Sequence, residues 1–132
     1  MSQPNVETVQ RALAALLRED WDAAVADLSP GAEIRDHDIP DADVYRGPEG
    51  FLKWVSQWGE SWESWSVEDL QVRAAGTDRA VALFRMVAKG SGSGVEVNRL
   101  DGVAYAFENG AIVRIDYFND QQRALEAVGL SE

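Results

Sequence analysis

A chain of 132 residues, 45% hydrophobic and 27% charged, has the length and mixture of one globular domain over residues 1–132, large enough to bury a core without staples. A net charge of -11 sets it against phosphate backbones and anionic lipid surfaces, so neither nucleic acid nor membrane is expected as a partner. The absence of cysteine excludes disulfides and thiolate metal sites, and a polar start from Met1 to Asn5, with no apolar run longer than Ala12 to Leu17, leads us to expect a soluble cytoplasmic protein.

Val6, Val9, Leu13, Leu16 and Leu17 recur at helical spacing and predict a first helix over residues 5–18, started by Pro4 and Asn5. Asp20 is placed to cap a short second helix through Trp21, Ala24, Val25 and Leu28, which Ser29-Pro30-Gly31 stops. Ala32 to Asp36 alternates and reads as a short strand, followed by an acidic loop from His37 to Gly47. Pro48 opens a third helix, expected to run to Trp62, because its missing N–H costs nothing in a first turn. The period then changes from helical to two. Strands are expected over Val67 to Ala74, Arg79 to Lys89, Val95 to Glu108 and Ala111 to Phe118. The last two are joined by Asn109-Gly110, the signature of a type I′ hairpin. Asp120 then caps a short closing helix that Gly129 ends.

Helices segregated from a meander of strands make an α+β domain. We expect a cone: a curved antiparallel sheet, wrapped by the N-terminal helices around a central pocket, with a short C-terminal helix. Gly102, near the middle of the long strand, is a candidate bulge or sharp bend. The strand Arg79 to Lys89 is apolar on both phases, so it must be covered on both sides. Helices cover one face, and the other predicts a homodimer.

Three stretches carry a family resemblance. They are Asp20-Trp21-Asp22-Ala23-Ala24 with Pro30-Gly31-Ala32-Glu33-Ile34-Arg35-Asp36, then Val44-Tyr45-Arg46-Gly47, then Asn109-Gly110-Ala111-Ile112-Val113 with Asp116-Tyr117-Phe118-Asn119-Asp120. In this order and spacing the chain resembles the SnoaL-like group of the nuclear transport factor 2-like superfamily. The resemblance implies a cone-shaped pocket and frequent homodimers, and no single activity. Ketosteroid isomerases, polyketide cyclases, dehydratases, epoxide hydrolases and non-catalytic binding domains share the fold, so function has to be read from the site.

The resemblance makes two carboxylates catalytic candidates. Asp36 ends the first strand, where ketosteroid isomerases carry a general base; the alternative is a solvated turn residue. Asp116 matches an acidic residue near the chain end of SnoaL-like cyclases; the alternative is an ion pair with Arg114 or Arg85. The isomerase oxyanion donors have no match. The first helix offers Ala12 to Leu17 with no tyrosine, and the long strand offers Val103 or a neighbour where a protonated aspartate would stand. Steroid isomerisation is therefore not expected.

Trp54, Trp58 and Trp62 fall four apart, a stripe that either walls a ligand pocket or plugs it. Tyr45, Asn98 and Tyr105 are candidate polar contacts for a ligand. His37 is the single histidine, and neighbours on a strand point to opposite faces, which separates it from Asp36. Asp36, His37, Asp38, Asp41 and Asp43 have oxygen donors without calcium-loop spacing, so no metal is expected, and no cofactor motif is present. The sequence thus points to binding of a small, largely apolar molecule, with isomerase, cyclase or dehydratase chemistry open to a pocket carboxylate. The alternative is a non-catalytic ligand-binding or protein-interaction domain.

Overall fold

The computed structural model describes residues 3–39 and 43–130. Pro40 and Asp41 of the acidic loop, and Met1 and Ser2 of the polar start, lie outside the described residues. Helix α1 spans Gln3–Leu17 and α2 Trp21–Ala24, the latter capped by Asp20, whose Oδ1 accepts from the Ala23 amide at 3.3 Å. Strand β1 (Leu28–Asp36), the two-residue β2 (Tyr45–Arg46) and helix α3 (Gly47–Gly59) follow. Four strands then form the meander, β3 (Trp62–Ala75), β4 (Arg79–Gly90), β5 (Glu96–Glu108) and β6 (Ala111–Phe118), before α4 (Gln121–Ala127). Asp120 caps α4 by accepting from the Gln122 amide at 2.8 Å. Among the described residues no helix is long and apolar enough to cross a membrane.

The strands form one sheet in the order β2-β1-β6-β5-β4-β3. The meander is antiparallel as expected, but β1 runs parallel to β6, so the sheet is mixed. Ser29-Pro30-Gly31, expected to be a stop, is drawn into β1 ahead of Ala32. The register with β6 shifts between Leu28 and Glu33, which lets a proline sit where no ladder bond is needed. Curl comes from bulges within β3, between Trp62 and Ser64 and between Glu68 and Gln71, and between Ala106 and Phe107 of β5. Asp69, at the second of these, takes φ 55, a left-handed turn that aspartate tolerates.

Gly102 is not a bulge. It stays in continuous register with Leu83 on one side and Phe118 on the other. A Cβ there would lie 2.5 Å from the Ala124 Cβ, so the glycine admits close packing of α4 on the outer face of the sheet. That contact also answers the two-sided apolar pattern of β4. Ala80, Ala82, Phe84, Met86 and Ala88 face the main core, whereas Val81 and Leu83 pack with Ala104, Phe118, Ala124, Leu125 and Val128 in a second core beneath α4. The chain thus covers the outer side of β4 at Val81 and Leu83, while Val87 further along the strand lies outside this second core.

Candidate functional site

The concave face of the sheet, α1 and α3 enclose a cavity of about 80 Å³, several times the roughly 10–15 Å³ that one water needs. Leu13, Leu16 and Leu17 of α1 and Phe51, Trp54, Val55 and Trp58 of α3 form one wall. Trp65, Val67 and Leu70 of β3, Phe84 and Met86 of β4, Val103 and Tyr105 of β5, and Ile115 and Tyr117 of β6 form the other. No charged side chain lines it. The period of two delivers these residues: Val103 and Tyr105, like Ile115 and Tyr117, are alternate positions that all point inward. The cavity borders an open groove, lined by Trp21, Leu52 and Ser56 among others, and Leu17, Val55, Trp58, Trp65 and Val67 belong to both.

Behind the apolar wall stand two buried carboxylates. Asp36 is 7% exposed and pairs with inward-facing Tyr117 in the β1–β6 register. Trp54 lines the cavity and turns its Nε1–H to Asp36 Oδ2 at 3.0 Å. Burial pushes the Asp36 carboxyl above its ordinary range, and the bonds from the Trp54 indole and the Asp38 backbone offset this only in part. Asp101 is fully buried; Arg99 holds it with two bonds, Nε to Oδ1 at 2.6 Å and Nη2 to Oδ2 at 3.0 Å. The Tyr117 hydroxyl donates to the same carboxylate. Desolvation, with the Asp101 charge beside it, keeps that phenol protonated far into alkali. Tyr117 and Trp54 therefore present ring surface to the cavity and spend their polar hydrogens on carboxylates.

Asp116 sits apart, on the outer face. Its β5 partner is Ala104, which belongs to the core under α4. Arg114 donates to it with Nε at 2.7 Å and Nη2 at 3.1 Å, and His37 Nε2 lies 2.6 Å from its Oδ1. Burial draws the Asp116 pKa up, but the bonds from Arg114 and His37 outweigh it and leave the carboxyl below its ordinary value. The His37 ring stacks on Phe118 at 4.5 Å, on the same outer face, while Asp36 points inward, as strand alternation requires. Asp38 ties the loop down, accepting from the Asn119 amide at 2.7 Å and from Arg123 at 2.8 Å. Among the described residues no group of three metal-ligating side chains forms; Asp41 lies outside them.

The other sequence candidates divide. Trp54, Trp58 and Tyr105 line the cavity. Trp62 is not on the third helix at all: α3 ends at Gly59, and Trp62 begins β3, packed against Trp58 at 5.9 Å outside the lining. Trp65, which the helical spacing passed over, takes the lining position, edge-on to Trp58 at 5.1 Å. Tyr45 donates to Gln57 Oε1 at 2.7 Å beyond the cavity. Asn98 is exposed on the outer face and accepts from Arg85 at 2.8 Å. Sequence reasoning passed over Asp101, although Arg99 and Asp101 stand at the i, i+2 spacing that places both on one strand face.

The fold recurs in solved structures. A candidate polyketide cyclase from Xanthomonas campestris pv. campestris is 20% identical, with 96% of this chain and 98% of that one covered at a TM-score of 0.75. An NTF2-like protein of unknown function from Burkholderia pseudomallei K96243 is 18% identical over 98% of this chain and 99% of that one, at 0.78. TerC, solved with polyporic acid, is 15% identical over 95% and 98%, at 0.76. No curated protein matches the chain. The chain shares its fold with an NTF2-like protein, and the SnoaL-like domain model matches residues 9–115, so the chain belongs to the SnoaL-like family.

Proposed function

We propose that the protein binds a small, largely apolar molecule in the concave cavity. The observation that carries this reading is the lining: aliphatic and aromatic side chains with no charge, opening onto a groove. A plugged core would leave no such space beside Trp54 and Trp58. The relatives point the same way, since one is a candidate polyketide cyclase and another was solved with polyporic acid. Titration with N-phenyl-1-naphthylamine, a neutral apolar fluorophore, tests the reading. Saturable fluorescence enhancement is expected in the wild type and its loss in Val103→Phe, which fills the space, with folding checked by circular dichroism. Undiminished binding by the filled variant would reject it.

One observation favours proton-transfer chemistry of isomerase, cyclase or dehydratase type at this site. Asp36 is a buried carboxylate with a raised pKa, one hydrogen bond behind a cavity residue, and such a group is suited to serve as a base near neutral pH. Ligand entry would have to swing the Trp54 indole aside to bring a C–H to Asp36. Asp36→Asn is then expected to abolish turnover of a substrate while leaving its binding intact; retained turnover would leave a binding domain. Asp116, held by Arg114 and within 2.6 Å of His37 Nε2 on the outer face, is left out of this proposal.

A further inference from the structure

Tyr105 differs from every other polar side chain of the cavity. It lies on β5 between Val103 and Phe107, 5% exposed, and its hydroxyl has no hydrogen-bond partner among the described residues. Trp54 and Tyr117 are committed to Asp36 and Asp101. Trp58 and Trp65 border the open groove as well as the cavity, where solvent can serve them. Burial alone raises the Tyr105 pKa, so the group is a neutral phenol with a proton to give. A hydroxyl without a protein partner inside an apolar cavity is free to donate to a ligand, and a well-placed acceptor there gains a hydrogen bond.

Charge narrows the partner further. No cation lines the cavity, and the guanidinium of Arg99, behind its wall, is already held by both oxygens of Asp101. The carboxylates of Asp36 and Asp101 lie just behind the wall. An anionic ligand would meet no free counter-charge there. A neutral molecule with one acceptor oxygen meets a single donor and otherwise aromatic and aliphatic surface.

Resting on the cavity reading above, we propose that the ligand is a neutral, flat, apolar molecule bearing one hydrogen-bond-accepting oxygen of carbonyl type, and that the Tyr105 hydroxyl is the donor that selects it. The position was read from sequence beside Tyr45 and Asn98 as a polar contact; of the three, Tyr105 alone lines the cavity.

The test is a matched pair of probes. 2-Acetylnaphthalene and 2-isopropenylnaphthalene have the same shape and differ by carbonyl oxygen against methylene. Dissociation constants are measured by tryptophan quenching for the wild type and Tyr105→Phe. The wild type is expected to prefer the ketone by roughly five- to tenfold, the worth of one buried hydrogen bond. Tyr105→Phe is expected to erase the preference by weakening the ketone and leaving the alkene unchanged. The infrared carbonyl stretch of the bound ketone should fall in the wild type and recover in Tyr105→Phe. 2-Naphthoate is expected to bind more weakly than either. Equal binding of ketone and alkene by the wild type, or a preference that survives Tyr105→Phe, overturns the role of Tyr105 while leaving the cavity reading intact. Failure of both neutral probes to bind overturns the two together. A thermal melt keeps the variant interpretable: losing a hydroxyl that nothing satisfies leaves the melting temperature equal or higher, and a clear fall would reveal a protein partner and contradict the proposal.

Discussion

The three buried aspartates among the described residues have three different environments, and each predicts a different mutant. Asp36 is held above its ordinary pKa, so the folded state binds its proton more tightly than the unfolded chain does. Its contribution to stability is complete below the unfolded value near 3.8 and is lost as pH rises through the higher folded value. Asp36→Asn keeps an acceptor for the Trp54 indole and removes the buried charge. Denaturant melts should show it equal to or more stable than the wild type at neutral pH, with the advantage vanishing in acid. Asp116 has the opposite sign: its stabilisation is present above the ordinary value and is lost as pH falls through the lowered one. Asp116→Asn should cost about 1.5–3 kcal/mol at neutral pH, the range for bonds to a charged group. Asp101→Ala strips a buried anion from Arg99 and a partner from Tyr117, and should cost about 3–5 kcal/mol. The inward turn of Asp36 and the outward turn of His37 were legible from strand alternation. The pairing of Asp116 with Arg114, two residues away on β6, was one of the readings open from sequence, whereas its contact with His37 was not legible, because it depends on a loop folding back across 79 residues.

Among the elements, the period of the pattern located every strand of the meander and erred where two periods meet. Trp54, Trp58 and Trp62 match a helix as far as spacing goes, but Gly59 ends α3 and the same tryptophan pattern continues into β3 as Trp62 and Trp65. Spacing alone cannot separate a helical stripe from two elements folded together. The parallel pairing of β1 with β6 is non-local and leaves no local mark. Gly102 shows the same limit: the sequence marks a missing side chain, and only packing tells a bend from a close approach. Gly102→Ala would press its Cβ on Ala124 and Leu83 and should destabilise by about 1–3 kcal/mol, measured by chemical denaturation. If the variant is neutral, α4 does not seat on β5 as described.

For the whole molecule, the segregation of helices from sheet followed from order and periodicity; the curvature was expected from Gly102 and arises instead at bulges in β3 and β5, and the cavity depended on how far the inward side chains of four strands and two helices fill the space between them. The expectation of a homodimer rested on β4, whose second apolar phase is met within the chain in part, at Val81 and Leu83 beneath α4. What remains uncovered on that face is mixed, with Arg85 and Asn98 hydrogen-bonded to each other beside Leu100, 49% exposed. The central claim is that the apolar cavity receives a small neutral molecule. It is tested most directly by intermolecular nuclear Overhauser effects from bound 2-acetylnaphthalene. The structure predicts cross-peaks to the methyl groups of Leu13, Met86, Val103 and Ile115, all of which line the cavity. Cross-peaks confined to Val87 and Leu100 on the outer face, or none under saturating conditions, would contradict it.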